Sequence, residues 1–197
     1  MSRFSTPLVV TSTLAIAFTT LVVAESRKAQ PQAPDRATAL AAFEHIKKLE
    51  GTWQSKSTKG WEERQQFRLI ARGTAVSSQS VPVPFADASR ADTAPDAAML
   101  TVFHMDGDHL LLTHYCEAGN QPRMIASAIE DAGRTVRFTF FDATNMESRM
   151  AGHMHAVVLK FVDARHFDEQ WSWYEDGKEQ WMETVHNELI PAAAGQP

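Results

Sequence analysis

Two histidines one residue apart, His153 and His155, follow Gly152, and a third, His114, lies two residues before the chain's single cysteine, Cys116. On a β-strand, residues two apart share a face, so His153 and His155 are placed together beside Val157, Leu159 and Phe161. With His114 they form a donor set suited to zinc, copper or iron. The alternative is polar groups at a barrel mouth, hydrogen-bonded to backbone or water. Cys116 offers a nucleophile only if a base lies within hydrogen-bond reach. His114 shares its face, but two residues along a strand separate the backbones by about 6.6 Å. His153 from another strand is then the better base. As a small apolar side chain, Cys116 also fits a buried position, as free cysteines commonly do.

Four further side chains complete the candidate set. Arg123 opens a strand after the polar turn Asn120-Gln121-Pro122 and could grip a carboxylate through its planar fork, or pair with Glu117. Asn145 ends a second polar turn and either caps that loop or faces a ligand. Trp171 and Trp173 alternate with Ser172, placing both rings on one face as core or cavity wall. Glu169 shares that face. Pointing inward it must be paired or protonated; at a rim it stays in water.

These residues are held by strands. Asp35 is a helix cap, and Leu40, Phe43, Ile46 and Leu49 mark one stripe of a helix from Arg36 to about Leu49. After Gly51 the period changes. Trp61–Ile70 and Thr74–Ser80 flank Ala71-Arg72-Gly73, and Met99–Met105 and Asp108–Ala118 flank Asp106-Gly107, a strong hairpin signal. Arg123–Glu130 and Thr135–Asp142 flank Asp131 to Arg134; His153–Val162 and His166–Tyr174 follow; Glu175-Asp176-Gly177-Lys178 leads to Glu179–Leu189. Pairing Met105 with Asp108 sets Phe103 opposite Leu110, Thr101 opposite Leu112 and Met99 opposite His114, all on one inward face with Cys116. The stretch 81–97, with three prolines, reads as a long loop. About ten strands in short-turn succession predict a mainly β fold, a single antiparallel up-and-down barrel entered through one N-terminal helix. A sandwich is the structural alternative; closure is favoured because it removes exposed edges.

Residues 1–24 read as a signal peptide: Arg3, an apolar stretch of 16 residues from Leu8 to Val23, and small residues before Glu25. That stretch falls short of the roughly 20 residues a spanning helix needs. The expected mature chain begins at Glu25, in the periplasm or outside a bacterial cell, without stable membrane insertion. Residues 25–34 read as a disordered leader, 35–190 as the barrel domain and 191–197 as a flexible tail. Cleavage removes only one charged residue, Arg3, and takes the net charge from −5 to −6. With no basic cluster, nucleic acid and anionic membranes are poor partners. One cysteine cannot make an internal disulfide, so core burial must hold the domain.

A helix, a Gly-x-Trp step (Gly51-Thr52-Trp53) and a meander of hairpins resemble the calycin superfamily of lipocalin-like and fatty-acid-binding-like barrels. The segments Met99-Leu100-Thr101, Thr113 to Met124 and Gly152-His153-Met154-His155 are similar to uncharacterised secreted bacterial proteins of lipocalin-like type. The resemblance covers most of the mature chain and implies a barrel without importing an activity. It also implies a basic residue on the last strand against the first-strand Trp. Trp181–Leu189 has no Lys or Arg, leaving His186 to substitute. With no serine elbow, phosphate loop or paired-cysteine pattern, the favoured function is binding rather than catalysis, with no cofactor. The expected ligand is a small, mostly apolar molecule with a polar head. His114, Arg123, Asn145, His153, His155 and Trp171 are expected around one cavity, with Cys116 and Glu169 on the adjoining strand faces. The alternatives are a metal or haem binder using His153, His155 or His114, and a small hydrolase or isomerase using His and Cys116.

Overall fold

The helix α1 runs from Arg36 to Lys47 and starts where Asp35 accepts a hydrogen bond from the Thr38 backbone N–H at 2.7 Å. Its buried face is Ala39, Ala42, Phe43 and Ile46. Leu40, expected on the stripe, is among the exposed hydrophobics. A strict three-residue repeat drifts against the 3.6-residue turn, and Ala39–Ala42–Phe43–Ile46 follows the helical period where Leu40 does not. The computed structural model describes residues 34–83 and 98–191. Residues 1–24, expected as a signal peptide, residues 25–33 of the expected leader, 84–97 of the expected long loop and 192–197 of the expected tail lie outside the described residues.

Ten strands follow: β1 (Gly51–Ser57), β2 (Glu62–Ile70), β3 (Ala75–Pro82), β4 (Met99–Asp106), β5 (His109–Tyr115), β6 (Gln121–Glu130), β7 (Thr135–Thr144), β8 (His153–Phe161), β9 (His166–Glu175) and β10 (Lys178–Leu189). Each pairs antiparallel with its sequence neighbour, and β1 pairs with β10, with Trp53 opposite Leu189, so the sheet is a closed barrel. This is the mainly β, single-helix architecture expected from the alternation of apolar residues and turn signals.

The β4–β5 register differs from expectation. The turn centres on Gly107-Asp108, with Gly107 at φ +58°, so Asp106 pairs with His109, Phe103 with Leu112 and Thr101 with His114. Glycine at the first central position suits a two-residue hairpin turn. The slip is even, so every side chain keeps its face.

The helix end of the barrel is filled and sealed. Trp53 meets Phe167 edge-on at 4.8 Å, and Phe167 meets Phe67 edge-on at 5.6 Å. The Trp53 Nε1–H donates to the Leu49 carbonyl at 2.7 Å, which satisfies the indole inside an apolar cluster. His186, the expected substitute for a basic residue beside this Trp, is exposed and bonds Asp168 at 2.8 Å instead. It lies out of phase with the buried Val185 and Asn187, so it faces outward. Helix α1 rests on the β6–β7 turn, where Gly133 has φ +89° and a Cβ would come within 2.9 Å of the Ala42 nitrogen.

Candidate functional site

Above the aromatic plug the interior turns polar. Glu63 and Gln65 point inward from β2 in phase with Phe67, and Glu169 from β9 in phase with Phe167 and Trp171. Glu183 does so from β10 in phase with Val185 and Asn187. With His114, Thr101 and Trp171 they surround a cavity of about 50 Å³. That is room for a few water molecules or the head of a small ligand.

His114 is only 4% exposed. Its Nδ1 bonds the Thr101 hydroxyl at 2.9 Å, and its ring lies 5.0 Å from that of Trp171. Burial pushes its pKa down to about 4, so the imidazole is neutral at neutral pH. Among the described residues its Nε2 has no partner, and neither has Gln65 Oε1 or Ser78 Oγ. Buried polar atoms of this kind normally have partners.

Three carboxylates face this space. Glu169 is 2% exposed, and Gln65 Nε2 donates to its two oxygens at 3.4 and 3.5 Å. Burial raises its pKa to about 7, against the opposing pull of Gln65, Trp171 and Asn187. Burial, and then the charge of Glu169, raises Glu63 to about 8, with Ser80 opposing and Glu183 adding to the rise. Glu183 accepts hydrogen bonds from Ser57 Oγ at 2.8 Å and Trp61 Nε1 at 3.1 Å. Among the described residues no Lys or Arg lines the cavity. Glu169 therefore occupies the interior position, not a wet rim.

The remaining candidates lie elsewhere. A bulge in β8 sets Met154 opposite Trp173 and Ala156 opposite Ser172, leaving His155 unpaired between them. It shifts the alternation by one residue, so Met154 lines the cavity and the two histidines do not. His153 Nδ1 bonds the Ala151 carbonyl at 2.7 Å, and His153 Nε2 lies 3.0 Å from His155 Nδ1. The His155 ring is stacked on Tyr174 at 3.9 Å and on Phe140 at 5.5 Å. Burial, then the charges of His153 and Arg149, lower the His155 pKa. A carbonyl can only accept, so His153 Nδ1 donates to it, and the facing nitrogens of the two rings share a hydrogen bond. The pair is thus engaged with itself. Among the described residues no group of three or more His, Cys, Asp and Glu is placed to hold a metal ion, so the alternative three-histidine site is not assembled.

Arg123 is exposed and forms a two-point ion pair with Asp142, Nε to Oδ1 at 2.5 Å, instead of facing the cavity or Glu117. The buried Pro122 and Met124 show why: Arg123 is out of phase with them. Asn145 is exposed, at φ +51°, and donates to the Gly119 carbonyl at 2.5 Å, tying two turns together. Cys116 lies just beyond β5, half-buried, with its backbone N–H bonded to the Asn120 carbonyl at 3.2 Å. Burial raises the pKa of its thiol, which does not favour a thiolate nucleophile. Of the expected set, the structure gathers His114, Glu169 and Trp171, and adds Glu63, Gln65 and Glu183.

No protein-family model matches the chain, and no curated protein matches it. Among solved structures it is similar to a protein of unknown function from the DUF3598 family of Nostoc punctiforme PCC 73102, with a TM-score of 0.44 and 9% identity. That likeness covers 74% of this chain and 49% of the other, so the chain spans about half the length of the protein it matches.

Proposed function

We infer that the protein is an exported, calycin-like barrel that binds a small molecule with an apolar body and a polar head. The observation that carries this is the set of unpartnered buried polar atoms, His114 Nε2 and Gln65 Oε1, on residues lining a cavity inside a closed sheet. Leaving such groups unpaired costs about 1–3 kcal/mol each, a cost a ligand's polar atoms can offset. Trp61, Met99, Met154 and Trp171 supply the apolar part of the lining. The small volume puts the head inside and the body toward the mouth. The helix-sealed base and Gly51-Thr52-Trp53 step support the calycin likeness, and the N-terminal charge, apolar stretch and small residues support export to the periplasm or medium.

Native mass spectrometry of protein isolated from its own host tests the binding reading. A stoichiometric added mass that is lost in the Trp171→Ala variant is the expected result. A bare polypeptide mass, together with no change in Trp171 emission across a library of small amphiphiles, overturns it. N-terminal sequencing of the isolated protein tests export: Glu25 is expected, and Met1 or Ser2 on extracytoplasmic material contradicts it.

A further inference from the structure

We propose that the head group this cavity accepts is an organic ammonium, so that the natural ligand is a small amine. The inference rests on the small-molecule reading above and specifies its chemistry. Three buried carboxylates from three different strands, Glu63, Glu169 and Glu183, face one space that no cationic side chain lines among the described residues. Buried charges are ordinarily paired. The open positions are mainly acceptor sites: Gln65 Oε1 lacks a donor among the described residues, and His114 Nε2 becomes an acceptor when Nδ1–H donates to Thr101. Gln65 is 5% exposed and His114 4%, so bulk water does not satisfy them.

An ammonium carries one positive charge and up to three N–H donors on one atom, and it fits a space of about 50 Å³. A carboxylate or phosphate head would meet like charge and too few donors. The rings of Trp171 and Trp61 in the lining add a cation–π surface. A metal ion is the poorer match, because no group of three ligating side chains is suitably placed among the described residues.

The charge balance gives the site a pH signature. The titratable groups facing the cavity are Glu63 on β2, His114 on β5, Glu169 on β9 and Glu183 on β10. The other strands that line it, β3, β4 and β8, contribute Ser78, Ser80, Met99, Thr101 and Met154, none of which titrates near neutrality. Empty, the cavity favours protonated Glu63 and Glu169 around neutral pH. An arriving ammonium favours their ionised forms and so expels protons as it binds.

The test is calorimetric titration of the full mature chain with n-butylamine, 1-butanol and sodium butyrate at pH 8, in two buffers of different ionisation enthalpy. Butylammonium is expected to bind at least about tenfold more tightly than butanol, the scale of one charge-assisted hydrogen bond. Its binding should release protons and weaken as pH falls toward 6, and butyrate should not bind. Glu169→Gln and Glu63→Gln should each cut butylammonium affinity by about tenfold or more while leaving butanol within about twofold. If a variant fails to fold, proton release by the wild-type protein still decides the matter. Equal affinity for butanol and butylammonium, or preference for butyrate, overturns the amine assignment and leaves the small-molecule reading standing. Binding of none of the three overturns the amine assignment, and the mass measurement above decides the small-molecule reading separately. Stoichiometric zinc binding that excludes butylammonium and is lost in Glu169→Gln also overturns the assignment, in favour of a metal.

Discussion

At the helix end of the barrel, β1, β2, β3 and β9 turn Trp53, Phe67, Val76 and Phe167 inward; a few residues along, the same strands turn in Ser57, Glu63, Ser80 and Glu169. The first group gains free energy by leaving water. The second gives some of it back, since buried carboxylates and unpaired polar atoms are costly. The contrast separates a half whose composition holds the fold from a half whose composition costs stability, and the binding proposed above would account for that cost. Sites of this kind commonly trade stability for function.

Substitutions in the two halves should therefore differ in both size and pH dependence. The largest loss is expected for Trp53→Ala, about 3–5 kcal/mol by urea unfolding at any pH, because the ring is fully enclosed and its Nε1–H is bonded. A loss below about 1 kcal/mol would show the base to be loosely packed.

Glu169→Gln should behave oppositely and stabilise the empty barrel as pH rises. The folded-state pKa of Glu169 lies near 7 and its ordinary value is 4.5, so the folded state holds more protons than the unfolded one between those limits. Stability from this group is complete below about pH 4.5 and is lost as pH rises through 7. His114, lowered to about 4 from 6.5, acts in the other sense, and its contribution is lost as pH falls from 6.5 toward 4. Below pH 6.5 the two trends oppose; between 6.5 and 8 the carboxylates act alone, and the wild-type protein should lose stability. Glutamine at 169 should gain about 2–3 kcal/mol at pH 8 and almost nothing at pH 4. A pH-independent difference in chemical unfolding would remove the buried-carboxylate account.

Gly133→Ala should cost roughly 1–3 kcal/mol, from a left-handed backbone and a collision with the Ala41–Ala42 backbone. Gly73→Ala, in the matching β2–β3 turn at φ +80° with open space around it, should cost about 1 kcal/mol. Equal losses would mean that α1 does not bear on the turn. The smallest effect belongs to the outer surface: Arg123→Ala should cost under about 1 kcal/mol despite its two-point pairing with Asp142, and should not alter butylammonium affinity. An altered affinity would bring Arg123 back into the site.

The strand count, the helix and the closure were legible because alternation and turn residues act locally, and the inward face of β4–β5 survived an error of register because the slip was even. The histidine pair was misplaced because a one-residue bulge leaves no mark in composition yet reverses phase beyond it. Glu63 and Gln65 passed unnoticed because polar residues alternate with polar residues along β2; only their phase with Phe67 marks them as inward. Arg123 carried the same information, alternating with Pro122 and Met124, but its position in a turn outweighed it.

The pairing of β1 with β10 also sets an order of events. The Ser55–Asn187 hydrogen bond at 2.5 Å joins residues 132 apart, and Glu183 reaches Ser57 and Trp61 across the same seam. Closing so long a loop is entropically expensive and tends to come late in folding. The same seam sets Trp53 opposite Leu189 and against Phe167, so the apolar base and the cavity wall beside β1 are both completed only when the last strands dock. A ligand of the proposed kind would therefore recognise the completed chain, and its arrival would stabilise the closed barrel as a whole.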